Sequence, residues 1–199
     1  METPASVLAF WFGSAANDAA AAQAQASLWW QKNHATDKAI RTRFAAWTDQ
    51  AASGALMGWG ATPQGLLALI VLTDQFARNM YRGTPKSFAF DALALGWSKQ
   101  GIASGAHQQL RLVERVFFYL PLEHSENLAD QQQAVARFGA LAAEVPAAQR
   151  EAFDGFVNYA ERHQAVIARF GRFPHRNGIL GRASTAEEVA FLKEPGSSF

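Results

Sequence analysis

Apolar residues recur every three to four positions along most of this chain, which is the period of a helix with one buried face. Val, Ile and Thr are sparse beside Ala, Leu, Gln and Arg, so helix propensity outweighs strand propensity. The pattern predicts an all-α fold of about eight or nine antiparallel helices joined by short links. Well over half of the residues should be helical, and no sheet of three or more strands should form.

One predicted helix differs from the others in its pattern. Thr62 and Pro63 suit the N-cap and the first position of a long helix that reaches about Tyr81. Its apolar residues lie nearly all the way round, which is typical of a helix buried at the centre of a domain. A later helix, which begins near Leu110, should be stopped or kinked by Pro121.

Capping signals place other helix boundaries. They are Gly13 after a first helix over 6–12, Asp18 as N-cap of a second helix that runs to Trp30, Thr36 or Asp37 at the start of a third, a helix from about Ser87 to Gln100 with a loop near Gly101 and Gly105, and a capping box of Ser184 with Glu187 before a last short helix. No break resembles a linker, so residues 1–199 are predicted to form a single domain.

Composition narrows the class of protein. Of the 199 residues 49% are apolar, with six Trp and fifteen Phe, which is enough for a sizeable core. The net charge of +1, with arginines interleaved among acids, predicts neither a nucleic-acid partner nor a membrane partner. The N-terminal sequence lacks the pattern of a secretory leader, and no apolar run of about 18 residues predicts a membrane span. Since cysteine is also absent, we predict a soluble cytoplasmic protein.

Ionisable and amide side chains concentrate beside aromatic residues in three segments, 74–85, 117–131 and 169–177. Charged groups set among apolar ones are costly unless they are paired or used, so these segments form the candidate site. Although they are distant in sequence, we expect them to share one partly buried network. Arg78, Glu123 and either Arg172 or His175 should then lie in one pocket of ordinary ligand size.

The first segment places an acid within the apolar surface of the long helix. Asp74 lies one helical turn before Arg78, so the two side chains can pair. In the functional interpretation Asp74 orients Arg78 toward a ligand oxyanion, with Asn79 and Arg82 nearby. In the structural interpretation the pair fixes helix packing. The sequence leaves both open.

The second segment follows Pro121, where one helix ends and another begins. Glu123, His124 and Glu126 could form a carboxylate–histidine acid/base pair or hold a metal. The structural alternative makes Ser125 an N-cap, Glu126 a first-turn acid and His124 a surface residue. Because the spacing is not that of a two-histidine zinc site, we predict no metal and no cofactor.

The third segment combines a helix and a loop. His163 lies on the apolar stripe of its helix, where a lone histidine is usually a hydrogen-bonded core residue. Arg172, His175 and Arg176 follow in a loop after Gly171. Several arginines near one loop suit a receptor for a carboxylate or a phosphate, whereas structural salt bridges to the acids of the second segment are the alternative.

Long motifs also resemble a known family, the uncharacterised domain-of-unknown-function family 924. They are VLAFWFG, WWQKN, TPQGLLALIVLTDQFARNMYRGTP, FFYLPLEHSENLADQ, RFGRFPHRNGILGRASTAEEVAFL and the terminal SSF. The resemblance covers essentially the whole chain and implies antiparallel helix pairs stacked as a tetratricopeptide-like right-handed superhelix. One departure is Ala77, where the family pattern has proline, and the absence of proline is expected to straighten the helix. The family carries no established reaction.

Three hypotheses for function follow. The first is a pocket that binds a small anionic molecule or a peptide carboxylate, with arginines as donors, carboxylates that orient them, and His124, His163 and His175 as proton carriers. The second is a hydrolase-type enzyme that uses a Glu–His acid/base pair. The third is a protein-interaction scaffold whose polar network is purely structural. The sequence gives no oligomeric state.

Overall fold

The computed structural model describes residues 1–15 and 17–198, and that part of the chain is helical and contains no strand. The predicted all-α fold is therefore confirmed. The helices are α1 Pro4–Phe12, α2 Asp18–Trp30, α3 His34–Ala52, α4 Pro63–Ile70, α5 Phe76–Met80, α6 Asp91–Ala103, α7 Leu112–Glu123, α8 Leu128–Glu144, α9 Arg150–Phe170 and α10 Ala186–Phe191. Because α4 and α5 are parts of one continuous helix, the described residues form nine helical rods. The tetratricopeptide-like superhelix stays a prediction, and the last residue of the SSF motif, Phe199, lies outside the described residues.

The rod formed by α4 and α5 lies at the centre of the fold, as its all-round apolar pattern predicts. Every residue from 65 to 77 is buried, and the rod packs against α1, α3, α6 and α7. Thr62 caps its N-terminus by accepting a hydrogen bond from the Gly65 amide at 3.1 Å. A Cβ at Gly65 would meet the Trp59 carbonyl oxygen at 1.8 Å, so only glycine fits at this close approach.

A π-helical turn, Val71–Gln75, interrupts this rod, which the sequence pattern does not predict. The Phe76 amide reaches back five residues to the Val71 carbonyl. Two threonine hydroxyls donate to nearby carbonyls: Thr73 to Leu69 at 2.7 Å, and Thr48 of α3 to Leu72 at 3.1 Å. Such a turn adds one residue to the α-helical register and is frequent at functional sites.

Aromatic side chains fill the core around this rod. Trp11 of α1 packs edge-to-face against Phe76 and Phe117, with ring centroids 5.4 and 5.5 Å apart. The indole of Trp29 donates to the Trp11 carbonyl at 2.9 Å. Phe44 of α3 lies 4.5 Å from Phe76. These contacts tie α1, α2, α3 and α7 to the central rod.

The end of α7 positions the second candidate segment. Pro121 is accommodated in the last turn, so α7 continues to Glu123 rather than stopping at the proline. The next helix, α8, is capped by Asn127, whose side chain accepts from the Ala129 amide at 2.8 Å. The alternative in which Ser125 is the N-cap is therefore wrong, since the Ser125 hydroxyl donates to Asp130 at 2.8 Å instead.

Several other boundaries are shifted from their predicted places. Asn17 rather than Asp18 caps α2, and Asn33 rather than Thr36 or Asp37 caps α3. Helix α6 starts at Asp91 rather than near Ser87. The capping box before α10 uses Thr185 with Glu188 rather than Ser184 with Glu187. In each capping case a neighbouring side chain has the geometry to accept from the free amides. Gly101 lies inside α6 rather than in a loop, and glycine fits there because a Cβ would meet the Phe118 ring at 2.3 Å.

Candidate functional site

The centre of the candidate site is the carboxylate of Asp74, which is completely buried within the π turn. Its Oδ1 lies 2.7 Å from Nδ1 of His124 and 2.9 Å from Nη1 of Arg78. Gln75 donates its side-chain amide to Oδ2. Burial alone would raise the pKa of Asp74, but the charges of Arg78 and His124 and these hydrogen bonds hold it below its ordinary value. Asp74 is therefore an ionised acceptor.

His124 reaches Asp74 from the C-terminus of α7. Its amide donates to the Leu120 carbonyl at 2.9 Å, and Gln131 of α8 donates to the carbonyls of Glu123 and Ser125 at 2.6 and 2.7 Å. These bonds hold the backbone on both sides of His124. The position of the ring is thus fixed by two helices.

The contact with Asp74 also sets the tautomer of His124. Because a carboxylate can only accept, Nδ1 carries the proton and Nε2 is left as the basic nitrogen. Burial and the charge of Arg78 lower the pKa of His124, while Asp74 opposes that shift. Its side chain remains 15% exposed, so the ring still reaches the surface.

A second acid and histidine, Glu123 and His163, lie next to the pair of Asp74 and His124, and the rings of His163 and His124 have centroids 6.4 Å apart. Glu123 Oε1 is 3.3 Å from Nδ1 of His163, which donates to the Tyr159 carbonyl at 2.8 Å. Burial and the nearby charge of Asp74 raise the pKa of Glu123 to about 8. Burial lowers the pKa of His163 to about 3. Both groups are therefore neutral at pH 7, and their contact is not an ion pair.

The arginines near Asp74 are engaged by carboxylates. Arg78 donates to both oxygens of Asp91 at 2.9 and 3.1 Å, and Arg176 donates to Asp91 at 3.3 Å and to the His124 carbonyl at 3.1 Å. Burial and the charge of Arg78 lower the pKa of Arg176 to about 10. Two carboxylates, Asp74 and Asp91, thus face two guanidinium groups, and the charges of this cluster balance.

Aromatic rings enclose the guanidinium of Arg176. The rings of Phe88 and Phe173 have their centroids 4.7 and 4.5 Å from its central carbon. Its Nε is buried and has no hydrogen-bond partner among the residues that the structure describes. Phe173 also packs against His163 and His175, with centroids 5.5 and 5.6 Å apart, and burial lowers the pKa of His175 to about 4.

The structure brings together only part of the predicted site. The members joined by these contacts are Asp74, Arg78, Glu123, His124, His163, His175 and Arg176. The predicted partnership of Asp74 with Arg78 is among them. The partner of His124, however, is Asp74 from the first segment rather than a glutamate of its own segment. That all these groups line one pocket of ligand size stays a prediction.

Other predicted members pair elsewhere. Asn79 and Arg82 bond to Asp37 of α3, where the guanidinium of Arg82 makes contacts of 2.9 and 3.0 Å. Glu126 accepts from Arg182 at 2.7 and 2.9 Å and from the Phe173 amide at 2.8 Å. These side chains fasten elements of the fold to one another.

Arg172 likewise turns to a partner in the last segment of the chain. It bonds Glu188 of α10 at 2.6 and 2.8 Å. The structural alternative paired the third segment with Glu123, Glu126 and Asp130, but the partner of Arg172 is Glu188. Glu188 is almost fully buried, so this pair fixes α10 against the loop after α9.

Sequence reasoning missed several residues of this network. Asp91 is absent from the residues that the sequence pattern indicates, because the pattern places it within a helix that begins near Ser87 and gives it no partner. Asp37 was treated as a helix start, and Arg182 and Glu188 were not considered. Their ion-pair partners are 13 to 85 residues away in sequence and meet them only after the helices pack, so no local signal marks these pairs.

Metal binding has no geometric support within residues 1–15 and 17–198. There, no group of three or more His, Cys, Asp or Glu side chains is arranged to hold a metal ion. The same residues include no helix that is both long and apolar enough to cross a membrane.

The fold and the site define an all-α protein that buries a carboxylate–histidine network between its central rod and the end of α7. The chain belongs to the family described as bacterial protein of unknown function, DUF924, whose model matches residues 7–196. It is similar to a solved structure, that of a protein of unknown function, ATU0120, from Agrobacterium tumefaciens. The two sequences are 36% identical over 96% of each chain, with a TM-score of 0.81. The comparison with curated proteins finds no match.

Proposed function

We propose that this protein is a hydrolase-type enzyme in which His124 transfers protons to and from a small-molecule substrate. The observation that carries the proposal is the 2.7 Å contact between Nδ1 of His124 and the buried carboxylate of Asp74. A buried carboxylate in this position fixes the tautomer of a histidine and stabilises the imidazolium that forms during proton transfer. The side chain of His124 is 15% exposed, and in this proposal its Nε2, which does not bond Asp74, acts on the substrate.

The neighbouring Glu123 supports the same proposal. An acid/base site needs groups whose pKa values are pushed apart by their surroundings. Here Asp74 is held ionised, whereas burial keeps Glu123 protonated up to about pH 8. The cluster therefore holds a protonated acid, Glu123, which contacts His163, and an ionised acid, Asp74, which bonds His124.

Charge balance argues that Asp74 and His124 do more than neutralise one another. Asp74 already has Arg78 as its counter-ion, and Arg78 is shared with Asp91. A neutral histidine adds no charge compensation to this set. Asp74 also lies in a π turn, and such turns are frequent at functional sites, which supports a functional use of that position.

A second candidate function is binding of a small anion or a peptide carboxylate. Arg176 favours it, because its buried Nε has no acceptor in the described part of the chain. An anion at this place would accept that hydrogen bond. The balanced charges of the cluster make this hypothesis weaker than proton transfer, since an added anion would be left without its own counter-ion.

The scaffold hypothesis rests on the arginine–carboxylate pairs that fasten the fold.

The test is turnover of a pool of small metabolites, followed by mass spectrometry, with wild type and two variants. His124→Gln removes the basic nitrogen. His107→Gln is the matched control, because His107 is a buried histidine whose ring, among the residues that the structure describes, bonds the Gly101 carbonyl at 3.2 Å and no carboxylate. We expect wild type and the control to convert the same compound, and His124→Gln to convert it at least about a hundredfold more slowly. Equal conversion by His124→Gln, with a folded circular dichroism spectrum, would overturn the proposal.

A further inference from the structure

A cleft of about 270 Å³ lies between α3 and the end of α5, apart from the cluster around Asp74. Its lining residues are His34, Asp37, Lys38, Arg41, Asn79 and Arg82. The volume is slightly below the usual range for ligand pockets, so an occupant would be small. None of these residues takes part in the contacts that join Asp74 to His124.

Helix α3 supplies one wall of the cleft. Lys38 and Arg41 are three positions apart and therefore project from the same face of the helix, one and two turns after His34. Asn79 and Arg82, at the end of the central rod, form the opposite wall. The two walls are joined by Asp37, which accepts from Asn79 at 3.0 Å and from Arg82 at 2.9 and 3.0 Å.

The charge of the cleft is not balanced. Burial would raise the pKa of Asp37, but the hydrogen bonds from Arg82 and Asn79 hold it below its ordinary value, so Asp37 is ionised. Its charge is matched by Arg82. Lys38 and Arg41 then remain as two positive charges, and neither is ion-paired with a carboxylate in the described part of the chain.

Arg41 is positioned without being neutralised. Its Nη2 donates to the Met80 carbonyl, and its guanidinium lies 5.9 Å from the centroid of the Tyr81 ring. A carbonyl and an aromatic ring orient the group but leave its formal charge uncompensated. The remaining donors of Arg41 and the ammonium of Lys38 can therefore meet one anion from the same helix face.

We propose that this cleft binds a small dianion, either a phosphate-bearing or a dicarboxylate metabolite. Lys38 and Arg41 compensate its two charges, and Arg82 is held in place by Asp37 as part of the opposite wall. This site is independent of proton transfer at His124. The arginine-rich segments of the sequence suggest that the protein binds an anion. The proposed cleft is a position where positive charge is in excess.

Isothermal titration calorimetry at constant ionic strength tests the proposal. The probes are inorganic phosphate, pyrophosphate and succinate, with sodium chloride as the reference salt. We expect saturable one-to-one binding of at least one probe, and the preferred probe identifies the ligand as a phosphate or a dicarboxylate. Lys38→Gln should weaken binding about tenfold, which is about 1.4 kcal/mol.

Two further variants make the result specific. Lys193→Gln removes the same charge from an exposed position that does not line the cleft, and it should leave the dissociation constant unchanged. Arg41→Lys keeps the charge but loses the planar donor geometry, so it should weaken binding less than Lys38→Gln does. The absence of saturable binding by all three probes overturns the proposal. An equal effect of Lys38→Gln and Lys193→Gln also overturns it, because that result reflects only the net charge.

Discussion

Glu123→Gln is the substitution with the clearest consequence for stability, because it replaces a buried, protonated acid by an uncharged group of the same shape. The pKa of Glu123 is raised from its ordinary value of 4.5 to about 8, first by burial and then by the charge of Asp74. Between these two values the folded protein keeps a proton that the unfolded chain has lost. Folding stability in wild type therefore falls as the pH rises from about 4.5 to about 8.

The size of the effect follows from that interval. At about 1.4 kcal/mol for each pH unit, the penalty accumulates to roughly 5 kcal/mol by pH 8. Glutamine cannot ionise, so the variant escapes this penalty. We expect the free energies of unfolding of the two proteins to be within about 1 kcal/mol near pH 5. Above that pH the variant should become progressively more stable than wild type, until the difference levels off above pH 8.

The assay is urea denaturation followed by circular dichroism across the pH range from about 5 to about 9. The difference between variant and wild type cancels the titration of His124 and His163, which both proteins share. Glu161→Gln is the control, since Glu161 is an exposed acid on the same helix as His163. Its difference from wild type should stay within about 0.5 kcal/mol. A Glu123→Gln difference that is flat or declines with pH would refute the reasoning.

Three other substitutions test the surrounding contacts. Asp74→Asn should lower the free energy of unfolding, measured by urea denaturation, by about 2–4 kcal/mol, because His124 loses its carboxylate while Arg78 keeps Asp91. An unchanged free energy of unfolding would contradict the buried pair. Arg172→Ala should lower the melting temperature more than Arg169→Ala does. The first substitution leaves the buried Glu188 without its bidentate partner, whereas the partner of Arg169 is the exposed Glu187. Equal melting temperatures for the two variants would contradict that role of Arg172. Gly101→Ala should cost about 1–3 kcal/mol, because its Cβ would meet the Phe118 ring, and Gly139→Ala, which meets nothing within 4 Å, is the control.

The helices could be predicted from the sequence because their signals are local. Thr62 with Pro63, and Gly171 after the long ninth helix, mark boundaries through their own backbone preferences. Errors of one residue arose where two adjacent residues could both cap, as with Asn17 and Asp18. The π turn could not be predicted, since a rod that is apolar on every side gives no phase from which an extra residue would be noticed.

The site was predictable in its composition but not in its pairing. The segment that contains Glu123 and His124 indicates acid/base chemistry, but it does not show that the acid bonded to His124 comes from 50 positions earlier. Arginine content suggested an anion receptor near Arg172 and Arg176. Whether a guanidinium is available depends on which carboxylates the packing brings to it, and that information lies in the tertiary structure alone.

The last part of the chain, residues 171–198, is attached to the rest mainly through polar contacts. Phe173 packs with Val166 and Ile167 in a small cluster that is separate from the main core, and the connections to earlier elements run through Arg176 and Arg182. Salt weakens the partly exposed pair of Arg182 with Glu126 more than the buried pair of Arg176 with Asp91 or the aromatic core. This segment should therefore open locally, at a free energy below that of global unfolding, and its amide hydrogens should exchange sooner than those of α4. Since Arg176 bonds the His124 carbonyl, each such opening would also release the backbone of His124 from one of the contacts that hold it in place.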